Sequence, residues 1–170
     1  MKTIKRVLVL FLFTALYSTS FAQDSELLDS LPTTKEGFIK SEKQVLGTIN
    51  WLETTPLDQE DKKHRQQYAY MTAWLINSPT VSIMVNSNVL GFTKKNNDLN
   101  MFFLAGWTKY QLENNYSRDE LQGNLAGLRC AIRMYKKGAG VKKDKVMENL
   151  VQLEDKGELE KWTKEQLAKK

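Results

Sequence analysis

The chain has 170 residues, of which 41% are hydrophobic and 26% are charged, and its formal net charge is +5. Residues 1–22 carry three of the positive charges and no acidic residue, so residues 23–170 have a net charge of only +2. A nucleic-acid-binding protein concentrates basic charge on its folded domain, so nucleic acid is excluded as an expected partner. The single cysteine excludes an internal disulfide, and the 148 residues after position 22 suit one domain with its own core.

The first 22 residues have the pattern of an export signal. Lys2, Lys5 and Arg6 precede an apolar run at residues 7–16, and small residues follow at Ser20 and Ala22. The run is shorter than the roughly 20 residues that span a bilayer. We therefore expect cleavage after Ala22, a periplasmic or secreted protein, and no transmembrane segment in the mature chain.

Residues 23–33 are polar and irregular, and we expect them to form a flexible leader to a helical domain at residues 34–170. Apolar residues at helical spacing predict six helices, at residues 35–53, 58–76, 98–114, 118–137, 143–155 and 158–169. Thr34 is the predicted N-cap of the first helix. Ser117, followed by Glu120 three residues later, predicts a capping box at the start of the fourth.

Residues 81–92 are the ambiguous segment of the chain. Val81, Ile83 and Val85 alternate with more polar or flexible residues as in a strand, yet the sequence offers no second strand to pair with them. A lone strand is not stable. We expect coil here, with a short helix at residues 86–91.

The third and fourth helices are each apolar on two opposite faces. On the fourth, one side holds Leu121, Leu125, Leu128, Ile132 and Tyr135, and the other holds Gly123, Ala126, Gly127, Cys130 and Met134. A helix that is apolar most of the way round lies in the interior. We therefore expect an all-α single domain of three packed helical hairpins, arranged as a short α–α superhelix or an orthogonal bundle, with the third and fourth helices in the middle.

Few residues suggest chemistry. His64, the only histidine, lies one helical turn from Glu60, and Asp61 is adjacent to Glu60. Together these residues could provide two or three ligands to a divalent ion, but acidic first turns are common because they complement the helix dipole. We expect His64 at the solvent-exposed end of the apolar face of the second helix, above Tyr68, and we expect no metal site. Cys130 falls on a packing face and should be a buried, inert thiol; pairing with a second chain is left open.

Two features are candidates for binding. The first is the set Trp107, Tyr110 and Asn124, where aromatic rings and a polar amide are predicted at the margin of the central helices. The second is a loop between the fourth and fifth helices that is rich in lysine, which would make weak contact with an anionic surface. Its lysines are Lys136, Lys137, Lys142, Lys143 and Lys145.

The sequence shows no catalytic motif, and we expect no catalytic residue, cofactor or metal. The functional hypothesis is an exported, non-enzymatic helical accessory protein that binds another exported or envelope protein. The alternative is a small-ligand-binding protein, or an enzyme, that works from a cleft between the central helices.

Overall fold

The computed structural model describes residues 31–58 and 61–169. Six α-helices follow one another: α1 (Lys35–Thr54), α2 (Asp61–Asn77), α3 (Leu99–Glu113), α4 (Glu120–Lys137), α5 (Lys145–Asp155) and α6 (Leu159–Leu167). All six predicted helices are confirmed, and none of the described residues lies in a strand. The export signal and residues 23–30 of the leader lie outside the described residues.

Helices α3 and α4 form the most extensive helix–helix contact among the described residues, and glycines on both helices permit it. A Cβ added at Gly106 would lie 2.5 Å from the carbonyl oxygen of Ala126, and one at Gly127 would lie 2.7 Å from the backbone oxygen of Phe103. Both helices are buried on two sides. Small residues of α4 thus permit α3 to approach closely.

The remaining helices cover this central pair. Helix α1 packs against α2, α3 and α4, whereas α5 and α6 pack against α4 and against each other. The indole nitrogen of Trp74 in α2 donates a hydrogen bond to Ser41 in α1 at 2.7 Å. The result is an all-α single domain with α3 and α4 at its centre. None of the helices in the described ranges combines the length and apolar character needed to cross a membrane.

The helix caps follow the predictions in one case and not in the other. Thr34 caps α1, since its hydroxyl accepts a hydrogen bond from the Gly37 amide at 3.1 Å. The predicted capping box at Ser117 is wrong: Asp119 caps α4 through its carboxylate, which accepts from the Gln122 amide at 3.0 Å. Tyr116 has a positive φ of 58°, and the turn that it forms delays the start of the helix.

The connection between α2 and α3 is coil over residues 81–86, as predicted, but its short helix lies further on. A 3-10 helix spans Gly91–Lys94 instead of residues 86–91. Val89 and Phe92 are both fully buried. Because these two side chains insert into the core, the chain first makes a turn at residues 87–89 and becomes helical only after it.

Candidate functional site

The three predicted binding residues do not lie on one surface. Trp107 is 2% exposed and its ring packs edge-on against Phe103, with ring centroids 5.8 Å apart. Asn124 is fully buried, and its amide nitrogen donates to the Glu120 carbonyl oxygen at 2.8 Å. Of the three, only Tyr110 lines a surface cleft. Trp107 lies in the contact between α3 and α4, against Gly123, and Asn124 bonds only within α4 among the described residues.

The cleft beside Tyr110 runs between α3 and α4 and has a volume of about 260 Å³. Three cations line it, and each has a carboxylate partner. Lys109 and Arg133 both pair with Glu53, and Arg129 pairs with Glu154 at 3.0 Å. An anionic ligand in this cleft would therefore compete with ion pairs that the protein already makes.

Glu53 also contacts the single cysteine and affects its pKa. The fully buried Cys130 thiol donates a hydrogen bond to the Glu53 carboxylate at 2.9 Å. Burial, and then the charge of Glu53, raises the pKa of Cys130 well above its ordinary value. Burial also pushes the pKa of Glu53 upward, but the hydrogen bonds from Cys130 and Arg133, with the charges of Arg133 and Lys109, outweigh it and lower that pKa. Cys130 stays a protonated, buried thiol, which makes it a poor nucleophile.

His64 is buried rather than wet. It is 3% exposed, because the Trp51 ring of α1 covers it with ring centroids 4.9 Å apart, and the Tyr68 ring lies 6.3 Å away. Neither of its ring nitrogens has a hydrogen-bond partner among the described residues. Glu60 and the side chain of Asp61, the acids of the metal hypothesis, lie outside the described part of the chain; the part that is described contains no group of three histidine, cysteine or acidic residues placed to hold a metal.

The lysines of the loop between α4 and α5 divide into two groups. Lys136 forms an ion pair with Asp155 at 2.7 Å, and the Lys137 ammonium donates to the backbone oxygen of Glu53. These two lysines fix the end of α4 to its neighbours. The other three, Lys142, Lys143 and Lys145, are exposed.

A groove that the sequence did not predict lies at the end of α2. It has a volume of about 410 Å³, and we call it the 75–85 groove. Its apolar lining consists of Leu75, Ile76, Val81, Ile83, Val85 and Leu104, and Arg118 is its charged lining residue. Ile76 is 77% exposed and Val85 is 51% exposed, and the neighbouring Met84 is 68% exposed. Large apolar side chains thus remain in water around this groove.

The coil segment at residues 81–86 contributes Val81, Ser82, Ile83 and Val85 to one wall of the groove. Its conformation at Ser82 is that of an extended chain, in which the amide and carbonyl of one residue point to the same side, because both groups contact the same side chain. The Gln111 side chain accepts a hydrogen bond from the Ser82 amide at 3.0 Å and donates one to the Ser82 carbonyl oxygen at 2.6 Å. Ser78 and Thr80 anchor the segment where it leaves α2: the Ser78 hydroxyl accepts from the Val81 amide, and the Thr80 hydroxyl donates to Glu42.

Among the described residues, the backbone of residues 83–85 has no hydrogen-bond partner. The amides and carbonyls of Ile83, Met84 and Val85 make no hydrogen bond with another described residue. The segment therefore resembles an edge strand, with free donors and acceptors next to exposed apolar side chains. The alternation of Val81, Ile83 and Val85 was the available signal, but the sequence does not show which of these residues are exposed.

No protein-family model matches the chain, and comparisons with curated proteins and with solved structures give no significant match.

Proposed function

We propose that the protein is an exported, non-enzymatic accessory protein that binds another exported or envelope protein through the 75–85 groove. The observation that carries this proposal is the exposure of Ile76, Met84 and Val85 around one concave surface. Single exposed apolar residues are ordinary on protein surfaces, whereas a group of them at a groove marks an interaction site.

Export is supported by the leader at residues 1–22, in which basic residues, a short apolar run and small residues occur in the order of a secretory signal. The partner then belongs to the same compartment, the periplasm or the cell exterior. Because both proteins are then in one compartment, the groove can bind the partner directly.

Site-specific photo-crosslinking in the organism of origin tests this function. A photoreactive phenylalanine analogue replaces Met84 in one variant and Lys161, an exposed residue of α6, in the control. We expect position 84 to crosslink one defined polypeptide that position 161 does not capture. The same products from both positions, or no product from position 84, would contradict the proposal.

A second candidate function is small-ligand binding in the cleft between α3 and α4. It is favoured by one observation: the Tyr110 ring lines this cleft together with Lys109 and Arg133. The cleft is near the lower limit of ordinary ligand pockets, which hold roughly 300–1,000 Å³. Mass spectrometry of protein purified from its native source tests it: a small molecule that co-purifies with the wild type and is lost in Tyr110→Ala supports it, and the absence of any such molecule contradicts it.

Weak contact with an anionic surface is supported by the three exposed lysines of the loop between α4 and α5. The change of Lys142, Lys143 and Lys145 to glutamine leaves the ion pair of Lys136 intact. We expect this triple variant to lose sedimentation with phosphatidylglycerol vesicles at low salt, whereas equal sedimentation of the two proteins would exclude the contact.

A further inference from the structure

We infer that the partner contributes an extended segment that pairs with the backbone of residues 83–85, places apolar side chains in the 75–85 groove and sets an acidic side chain against Arg118. This inference rests on the proposed function and specifies the chemistry of the partner. It corresponds to strand addition, in which backbone hydrogen bonds give affinity and pockets for alternate side chains give specificity.

The direction of the free hydrogen-bonding groups follows from the Gln111 contact. In an extended chain the amide and carbonyl of one residue point to the same edge, and those of the next residue point to the opposite edge. Both groups of Ser82 face Gln111 in α3, at 3.0 and 2.6 Å. The amides and carbonyls of Ile83 and Val85 therefore face away from α3, on the edge that a second strand would occupy.

The side chains of the same segment are arranged as a strand requires. Val81, Ile83 and Val85 are two residues apart, and all three line the groove. They become progressively less buried along the segment, from 5% exposed at Val81 to 51% exposed at Val85. A partner strand that pairs with Ile83 and Val85 would carry its own apolar side chains over this opening.

Arg118 defines the charge of the partner. It lines the groove, is exposed, and forms no ion pair with a described residue. The rest of the lining is uncharged. A guanidinium without a partner next to an apolar groove complements a carboxylate.

The same charge argues against a second copy of this chain as the occupant. Residues 78–86 contain no acidic residue. Two copies that paired through this segment would therefore bring no carboxylate from it to either Arg118. An acidic segment of a different protein satisfies both the backbone and the charge.

Fluorescence anisotropy with synthetic peptides tests the inference on the purified protein. The probes are labelled heptapeptides, blocked at both ends, in which valine, leucine, isoleucine or phenylalanine alternates with threonine and one terminal residue is aspartate. We expect at least one member of the set to bind. N-methylation of its alternate amides should weaken binding at least tenfold, because a methylated amide cannot donate a hydrogen bond to the edge.

The charge is tested by a double substitution. Asparagine in place of the peptide aspartate should weaken binding about fivefold with the wild-type protein and leave it unchanged with Arg118→Gln. An affinity that changes neither on N-methylation nor on replacement of the aspartate would overturn the inference. The inference would also be overturned if none of the peptides bound. A different result separates the inference from the proposed function. If the N-methylated and unmethylated peptides bind equally well, but position 84 still crosslinks one defined polypeptide, then the strand geometry is wrong and the proposed function stands.

Two further measurements identify the other occupants. Sedimentation velocity that shows a dimer, dissociated by Met84→Asp, would assign the groove to a second copy and overturn the inference. Tighter binding of a peptide with the sequence of residues 23–30, which contains two leucines and three acids, would assign the groove to the leader of this chain and overturn it as well.

Discussion

The α3–α4 hairpin and the connection before it are both rich in apolar residues, but they differ in how far these side chains are buried. In the hairpin Phe102, Phe103 and Leu128 are fully buried, whereas in the connection Met84 is 68% exposed and Val85 is 51% exposed. A helix satisfies its backbone internally, so its faces are free to pack on both sides. An extended segment needs a neighbour for its backbone, and residues 83–85 have none in the part of the chain that the structure describes. Apolar content alone therefore does not determine burial.

This difference separates the part of the molecule that stabilises the fold from the part that is available for binding. The hairpin is close-packed, so that its glycines cannot accept even a methyl group. The connection is anchored at Ser82 by Gln111 and at Val89 and Phe92 by burial, whereas Met84 and Val85 are largely exposed. Substitutions in the two regions should have very different effects on stability.

The largest effect is expected at Gly106, where a glycine of the hairpin lies closest to the backbone of the other helix. Gly106→Ala places a Cβ 2.5 Å from the Ala126 oxygen and 2.6 Å from the Cys130 Cβ, so the helices must move apart. We expect the free energy of unfolding, measured by urea denaturation, to fall by about 2–3 kcal/mol. Gly47→Ala in α1 is the control, since nothing lies within 4 Å of its added Cβ; it should stabilise the protein by up to about 1 kcal/mol. Equal effects of the two changes would show that the hairpin is not close-packed at Gly106.

The next effect concerns the link between the two regions. Gln111→Ala removes both hydrogen bonds to Ser82 and leaves the Ser82 amide and carbonyl without their partner. We expect a loss of about 2 kcal/mol in the free energy of unfolding. Faster hydrogen exchange at the Ser82 amide should accompany it. An unchanged stability would mean that Gln111 does not anchor the extended segment.

A smaller effect, and one that depends on pH, is expected at Glu53. Its pKa is lowered from the ordinary value of 4.5, so its ionised form stabilises the fold above that pH, and the contribution is lost as the pH falls through the lowered pKa. Glu53→Gln should lower the free energy of unfolding by about 1 kcal/mol at neutral pH, because Arg133 is partly exposed to solvent.

The difference between wild type and Glu53→Gln should shrink as the pH is lowered below 4.5. Glu160→Gln is the control, since Glu160 pairs with Lys164 on an exposed face of α6; its effect should stay within about 0.5 kcal/mol at every pH. If the difference in free energy of unfolding between wild type and Glu53→Gln did not depend on pH, the ionised form of Glu53 would not be what stabilises the fold.

The smallest effect on stability is expected in the middle of the connection. Met84→Ser removes a large apolar side chain that is 68% exposed. The free energy of unfolding should change by less than about 0.5 kcal/mol, while binding of the peptide probes weakens. A loss of stability comparable to that of Gly106→Ala would mean that Met84 belongs to the core and not to a docking surface.

Much of the fold could be predicted from the sequence because helical periodicity is a local signal. The six helices and the central position of α3 and α4 follow from the spacing of residues such as Leu125, Leu128 and Ile132. The cap of α4 could not be assigned from a motif alone, since Ser117 and Asp119 both have capping side chains and the turn at Tyr116 decides between them. The buried position of His64 depends on Trp51 of another helix, which periodicity within α2 does not reveal.

The candidate site was less predictable for the same reason. The alternation of Val81, Ile83 and Val85 indicated an extended segment, but its exposure depends on what the rest of the chain leaves uncovered. The 75–85 groove combines residues from α2, the connection, α3 and Arg118. Such a surface is a product of tertiary packing. Trp107 of α3 illustrates the converse, because Gly123 of α4 leaves room for its ring in the contact between the two helices.

Amide hydrogen exchange of the purified protein tests most directly the contrast between a closed hairpin and an open edge. We predict that the amides of Ile83, Met84 and Val85 exchange at nearly the rate of an unstructured peptide, while amides in the middle of α3 and α4 exchange only on global unfolding. Protection at residues 83–85 that matches that of α3 and α4 would contradict the account, because the edge would then already be paired.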